Sequence, residues 1–492
     1  MATAPADIMF NFRVLSTCGT ARTGQLLTKT HTLPTPTFLA SSSRGVVPHL
    51  SHDTLRDHTQ TPGLYVPLED FIERGIPDSP VYSATSPTTP SPLRAFTSLP
   101  DSQLLLLSPR RTPAVQTAAA NTDHSLAILT SVGFRTLPIN AYITSVTQLL
   151  PDAAISPVDI PTHVPGKNRI PKMTQRTETW LTALLKGVDG KVPILAGVLP
   201  LSPEQQQLYL ETLSDRHNDL AGLALWDASI SGYITELPEL SGLPRVAVNG
   251  SSQGGVNTPE KVLDAVENGV DVFNAGWLNE ATDAGIALDF EFPASREEAE
   301  KQLGEEEKFA EKPLGIDLWL PEFATDTRPL KEGCECYACK RHHRAYINHL
   351  LNAREMSAWV LLQIHNTHLL HLFFTSIRAS ITSSTFPLSR RIFTHTYMPS
   401  LPPQTGEGPR VRGYQFKTDN GPKKNKKVFN RLGGEGEKVL KPDPEVGGEM
   451  REVLQETMED AGVMVRGADS AVLVERGFAE RKEEVLGKGE GK

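Results

Sequence analysis

Arg245-Val246-Ala247-Val248, then Thr258-Pro259-Glu260-Lys261-Val262-Leu263-Asp264-Ala265-Val266-Glu267-Asn268, then Val270-Asp271-Val272-Phe273 read in turn as strand, helix and strand. The two outer runs are short, largely apolar and bounded by turn formers. The middle run starts at Pro259, which suits the first helical position, with Thr258 as its cap. The same alternation extends in both directions. Leu104 to Leu107, Ser125 to Leu129, Pro193 to Leu199, Ala221 to Trp226 and Ile286 to Phe290 read as further strands. Pro203 to Asn218 reads as a helix with Ser202 as cap. Strands alternating with helices predict a parallel α/β fold. No glycine-rich phosphate motif is present, and the chain is long. A closed (β/α)8 TIM barrel is therefore the expected architecture, with a doubly wound sheet as its competitor.

The chain has 492 residues, enough for one large domain with extensions. Hydrophobic residues at 39% and charged residues at 22% permit a packed core and argue against global disorder. The net charge of -9 lacks the basic surplus of a protein that grips nucleic acid by itself. Any role on RNA needs a local basic patch or a partner. Four cysteines in so long a chain exclude a disulfide framework. Met1 to Phe10 shows no secretory pattern, and no run of roughly 18 apolar residues exists. A reducing, cytoplasmic setting is expected.

Residues 10–400 read as the barrel domain, including a metal-binding subdomain at 334–365. Thr85 to Leu93, rich in Ser, Thr and Pro, reads as a surface loop, and Arg296 to Lys312 as a solvated charged run. Residues 405–492 read as a low-complexity, partly disordered tail. It contains a basic run at Lys423, Lys424, Lys426 and Lys427 and a helical stretch at Glu449 to Ala461. The basic run suits nucleic-acid phosphate, and plain solubilisation at least as well.

Cys334, Cys336 and Cys339 form C-x-C-x-x-C after Gly333, a spacing that lets three thiolates converge on one ion. Structural zinc takes four ligands in a tetrahedron, so a fourth must come from elsewhere. His342 and His343 lie near in sequence. His365, His368 and His371 fall within Ala353 to Phe374, which reads as a helix with Ala358, Leu361, Leu362, Leu369 and Leu372 on its apolar face. His365 follows an apolar run and points into packed structure, so it is the expected fourth ligand; His342 is the alternative. Three cysteines and a histidine close the shell, so the expected Zn2+, one per chain, is structural rather than catalytic.

This C-x-C-x-x-C followed by Ile364-His365-Asn366 resembles the zinc site of the tRNA-guanine transglycosylases, also called queuine tRNA-ribosyltransferases. Ala21-Arg22-Thr23-Gly24 and Thr35-Pro36-Thr37-Phe38 resemble that family's opening hairpin and first barrel strand. Leu243-Pro244-Arg245, Thr258-Pro259-Glu260 and Gly269 to Phe273 resemble its late strands. Glu407 to Tyr414 resembles a segment of its eukaryotic accessory branch. The resemblance implies a zinc-bearing TIM barrel whose active members exchange guanine at the tRNA wobble position. They do so with a nucleophilic carboxylate and a second carboxylate near the base.

At the chemistry the pattern breaks. Where active members carry an Asp between Phe and Cys, this chain reads Phe273-Asn274-Ala275, followed by Gly276-Trp277-Leu278. An amide is no anionic nucleophile. The nearest counterpart of the second carboxylate motif, Ser131-Val132-Gly133-Phe134-Arg135, has no acid. Asp271, Asp283 and Asp159 read as capping or solvated groups, and Cys18 as a small thiol. No catalytic residue is assigned.

The resemblance thus implies a non-catalytic subunit paired with a catalytic homologue in a heterodimer that inserts queuine at position 34 of GUN-anticodon tRNAs. Family members of this branch can sit peripherally at the mitochondrial outer membrane. The rivals are a self-sufficient transglycosylase using Asp271 or Asp283, and a zinc-stabilised protein unrelated to tRNA. Thr375 to Pro403 departs from the family pattern, as a lineage insertion or a gene-model artefact would.

Overall fold

The apolar runs of the sequence become the staves of a barrel. A computed structural model of the chain describes residues 10–409, apart from 74, 77, 114–119, 161–164, 251–254 and 299–310. Three antiparallel strands come first: β1 (Asn11–Cys18), β2 (Ala21–Leu27) and β3 (Thr32–Thr35). Next along the chain are β4 (Thr37–Ser41), β5 (Gly63–Pro67) and β6 (Leu104–Ser108). A hairpin of β7 (Ser125–Thr130) and β8 (Gly133–Pro138) interrupts them. After it come β9 (Ala153–Ile155), β10 (Ile194–Val198), β11 (Gly222–Leu225), β12 (Arg245–Ala247) and β13 (Val272–Asn274). Strands β4, β5, β6 and β9 to β13 pair in parallel and close on themselves, β13 against β4. This is the expected eight-stranded barrel. β14 (Ile286–Leu288) and β15 (Gly315–Asp317) form a separate antiparallel pair.

Two of the predicted strands are thus real but lie outside the barrel. Ser125–Thr130 pairs only with β8, whose Arg135 and Thr136 are exposed, and Ile286–Leu288 pairs with β15. Short apolar runs do not reveal whether their partner is parallel or antiparallel. Two staves escaped the sequence pattern. β9 is three residues long, and β5 begins at Gly63 and ends at Pro67. Gly63 is required there, because a Cβ would stand 2.5 Å from the Leu104 carbonyl oxygen.

The Thr258 hydroxyl accepts from the Lys261 amide at 3.4 Å, as a cap should. Ser202 does not act as one. Its hydroxyl donates to Glu204 at 2.6 Å, and the segment opens with a 3-10 turn at Glu204–Gln206 before the α-helix Gln207–Asp215.

The long helix Met356–Thr382 carries His365 and runs down the barrel wall. Leu362, Leu369, Phe373 and Ile377 form its buried face, whereas Leu372 is 43% exposed and belongs to the other side. Phe374 lies between Phe38 of β4 and Phe273 of β13, with ring centroids 5.8 and 5.5 Å away. Thr375 to Pro403 contains the end of this helix and a further helix, Phe386–Thr396. Its Phe386 and Phe393 are fully buried and pack on Phe292, so this stretch is part of the core. Residues 410–492, including the Lys423 to Lys427 run and Glu449 to Ala461, lie outside the described residues.

At the N-terminal ends of β12 and β13 an ion pair ties these staves to the opening sheet. Arg22 of β2 donates through Nε and Nη2 to both oxygens of Asp271, at 2.9 and 2.6 Å, and the Arg245 amide donates to Oδ2 at 2.8 Å. Asp271 immediately precedes β13, so it sits at the opposite end of that strand from Asn274.

Candidate metal centre and barrel mouth

Gly333 turns the chain with φ 72° and brings the three thiols onto a short loop. Cys336 caps the helix Tyr337–Arg341, its sulfur accepting from the Cys339 amide at 3.3 Å. His365 comes from the long helix and is fully buried. Its Nε2 lies 2.9 Å from the Leu288 carbonyl in β14 and donates to it, which leaves Nδ1 facing the sulfurs. Nδ1 lies 3.7, 3.5 and 3.4 Å from the sulfurs of Cys334, Cys336 and Cys339. A zinc tetrahedron with Zn–S of about 2.3 Å and Zn–N of about 2.05 Å has an N···S edge of about 3.6 Å. The four donor atoms all fall within 4.8 Å of one another. They form the one such group of His, Cys and acidic ligands found among the described residues.

Protonation points the same way. Donation from Cys336 and Cys339 drives the Cys334 thiol down, and the Cys336 thiol, as donor, is driven up. Burial lowers the His365 imidazole, but Cys334 and Cys339 outweigh it and lift it to about 10. A divalent cation bound there would displace the thiol protons and neutralise the thiolates.

The other histidines stay outside the knot. His342 stacks on Tyr346 at 5.1 Å, and the His343 ring accepts from the Tyr346 amide at 3.1 Å as a helix cap. His368 and His371 lie half-buried further along the long helix.

At the barrel's C-terminal rim, Asn274 ends β13 and is buried. Its Nδ2 donates to Thr112 Oγ1 at 2.7 Å and to the Val248 carbonyl at 2.9 Å, and its Oδ1 is buried without a partner. Asp159, four residues past β9, is completely buried rather than solvated. Arg169 reaches both its oxygens at 2.7 and 2.8 Å; Arg176 and Asn121 take its remaining lone pairs. Asp283 faces outward, with its carboxylate 2.6 Å from His49 Nε2. Ser131 and Val132 make the β7–β8 turn and Gly133 to Arg135 open β8, so the motif is not at the end of a stave.

The sequence reading missed Glu69 and Asp70, which come directly after β5. Arg111 binds Glu69 through its amide and Nε at 2.7 and 2.9 Å, and Asp70 through Nη2 at 2.8 Å. Burial pushes both carboxyls up, against the pull of Arg111. Because β5 itself escaped the sequence pattern, their position just past a barrel strand gave no signal.

With this geometry established, the family described as queuine tRNA-ribosyltransferase matches residues 17–399. The chain belongs to that family. A Schizosaccharomyces pombe protein named queuine tRNA-ribosyltransferase accessory subunit 2 is 36% identical over 414 residues, covering 82% of this chain and 88% of that one. Proteins of the same name from Xenopus tropicalis and Anopheles gambiae are 26% and 27% identical, covering 71% and 75% of this chain and 90% and 85% of theirs. Within the family barrel, the metal ligand types stand together and the rim carboxylates are each held by this chain's own donors. No helix among the described residues is long and apolar enough to cross a membrane.

Proposed function

We infer that this chain is the non-catalytic subunit of a heterodimeric queuine tRNA-ribosyltransferase, which replaces guanine by queuine at position 34 of GUN-anticodon tRNAs. One observation carries the reading. The side chain at the end of β13, where the family's nucleophile is expected, is the amide of Asn274, buried and donating to Thr112 and Val248. An amide does not ionise to attack ribose C1′. The names of the relatives support the same role.

Cys334, Cys336, Cys339 and His365 hold one structural zinc ion in this reading. The closed shell leaves no position for water, so the ion supplies rigidity by tying the cysteine loop to the long helix. The surface it stiffens is suited to pairing. Leu320, Tyr337, Tyr346 and Met356, all from the loop and helices around the metal, are exposed. A tRNA is larger than one barrel, so a second barrel can orient it over its partner's active site. In this reading the complex works in the cytoplasm.

Neither rival gains support. Asp271 is fastened to Arg22 at the far end of the barrel, and Asp283 pairs with His49. The test is reconstitution. The purified chain, a catalytic family member and the mixture are each given tRNA and labelled base, and the mixture is sized by light scattering. A one-to-one complex that alone incorporates label is expected. Incorporation by the chain alone, or no complex at micromolar concentrations, would overturn the reading.

A further inference from the structure

Asn366 directly follows the metal-facing histidine, and its side chain is fully buried. Its Oδ1 accepts from the Leu288 amide at 2.9 Å. Its Nδ2 donates to the Ile286 carbonyl and to Thr282 Oγ1, each at 3.0 Å. The network fixes the orientation of the amide, since a flipped group would set its NH2 against the Leu288 N–H. Leu288 is also the residue whose carbonyl accepts from His365 Nε2 at 2.9 Å. Two adjacent side chains of one helix thus hold the amide and the carbonyl of a single residue.

The reason lies in the strand. β14 pairs with β15 along one edge. On the other, the Ile286 carbonyl and both backbone groups of Leu288 are met by Asn366 and His365 in place of a third strand. Buried backbone groups need such partners. Thr282 extends the tie to the helix Gly276–Asp283, which follows the Asn274 stave.

The cysteine half of the centre refers to the same segment. The Cys334 amide donates to the Lys331 carbonyl at 3.3 Å, across the turn made by Gly333. The Lys331 ammonium reaches Asp289, the residue after Leu288, at 3.2 Å, and Glu291 at 2.8 Å. Metal ligands must stand within about 0.2 Å of their places. A histidine and a cysteine loop from distant parts of the chain meet that demand when both are measured from one rigid segment.

We propose that Asn366 and Lys331 are positioning residues of the metal centre. Asn366 sets the histidine and Lys331 the cysteine loop, both through Leu288-Asp289. The proposal rests on the zinc reading above and adds what holds the ligands in place.

The experiment compares Asn366→Leu, Lys331→Met and Lys331→Arg in the full chain, with Gln363→Met as control. Gln363 lies one turn earlier on the long helix, equally buried, and donates to Asn279 Oδ1 at 3.0 Å instead of to β14. Zinc affinity is read by competition with a chelator of known strength. Co2+ loaded in place of zinc reports the ligand geometry through its visible absorption. Asn366→Leu and Lys331→Met are expected to weaken zinc binding by about 10- to 100-fold, the usual cost of losing a group that orients a ligand. Asn366→Leu should also shift the Co2+ bands. Lys331→Arg should restore the affinity. Gln363→Met should leave affinity and bands in place while lowering the thermal midpoint. Unchanged affinity in Asn366→Leu or in Lys331→Met overturns the role of that residue. An equal loss in Gln363→Met overturns both, since packing alone would then explain the effect. Should Asn366→Leu fail to fold, Thr282→Val removes one of the two acceptors of the amide and must still weaken zinc. An unaltered chain that takes up neither ion overturns the zinc reading itself, and the positioning roles with it.

Discussion

The metal centre and the barrel mouth use their polar side chains differently. Around His365 four side chains from a loop and a helix converge with the spacing a metal requires. At the barrel rim, Asn274, Asp159, Glu69 and Asp70 also stand at or just past the ends of staves, but each bonds to the protein's own groups, with the Asn274 Oδ1 left buried and unpartnered. The first region kept the residue types its chemistry needs. The second has an amide at the end of β13 and carboxyls engaged by bonds within the chain. The Arg22–Asp271 pair lies at the opposite end of the staves, so that end is held by contacts of its own while the side chains of the mouth differ.

The largest expected effect tests the metal side. Cys336→Ser should reduce bound zinc from about one per chain to nearly none, and lower the thermal midpoint by about 10 °C, since structural zinc contributes about 10 kcal/mol or more locally. Pairing with the catalytic subunit should fall with it. A metal-to-protein ratio that does not change in this variant would remove the ligand assignment.

Next comes the carboxylate that looks most like a working acid. Arg176→Met leaves Asp159 buried with fewer partners and should cost about 3 kcal/mol in urea unfolding. Adding Asp159→Asn should restore most of that stability and leave base exchange by the complex unaltered. Loss of exchange in the double variant would make Asp159 a catalytic group and erase the contrast between the regions.

Asn274→Asp is a sharper probe of the mouth. It buries a charge facing the Val248 carbonyl and forfeits two donated hydrogen bonds, for a cost of about 2 kcal/mol. No exchange should appear in the chain alone, because the rim carboxylates are already bound to arginines. Activity gained by this one change would mean the site is otherwise intact.

The smallest effect concerns Gly406, which lies against the Trp319 indole. Gly406→Val cannot fit there and should loosen residues 405–409 for about 1 kcal/mol, read as a red shift of tryptophan fluorescence. An unshifted spectrum would show that Gly406 does not rest on that ring.

Much of the barrel was legible because its staves are buried on all sides and so read as unbroken apolar runs, as in Leu104 to Leu107. β9 was hidden because three residues are too few for a pattern, and the β7–β8 hairpin resembled a stave in everything but its partner. Thiol spacing made the metal loop legible. Which histidine joins it depended on burial, and His365 is the one whose ring the long helix carries inward. Glu69 and Asp70 were invisible, because adjacent acids after a short strand look like a solvated turn until Arg111 is folded over them.

Base exchange through a carboxylate joins one polypeptide to RNA, and its identity separates a catalytic from a non-catalytic subunit most directly. Guanine-34 tRNA carrying a radiolabel can be incubated with the reconstituted complex, quenched in detergent and resolved by subunit size. The label is expected on the catalytic partner alone, with this chain unlabelled both in the complex and by itself. A labelled band from this chain, mapping to any carboxylate of its barrel, would contradict its non-catalytic role.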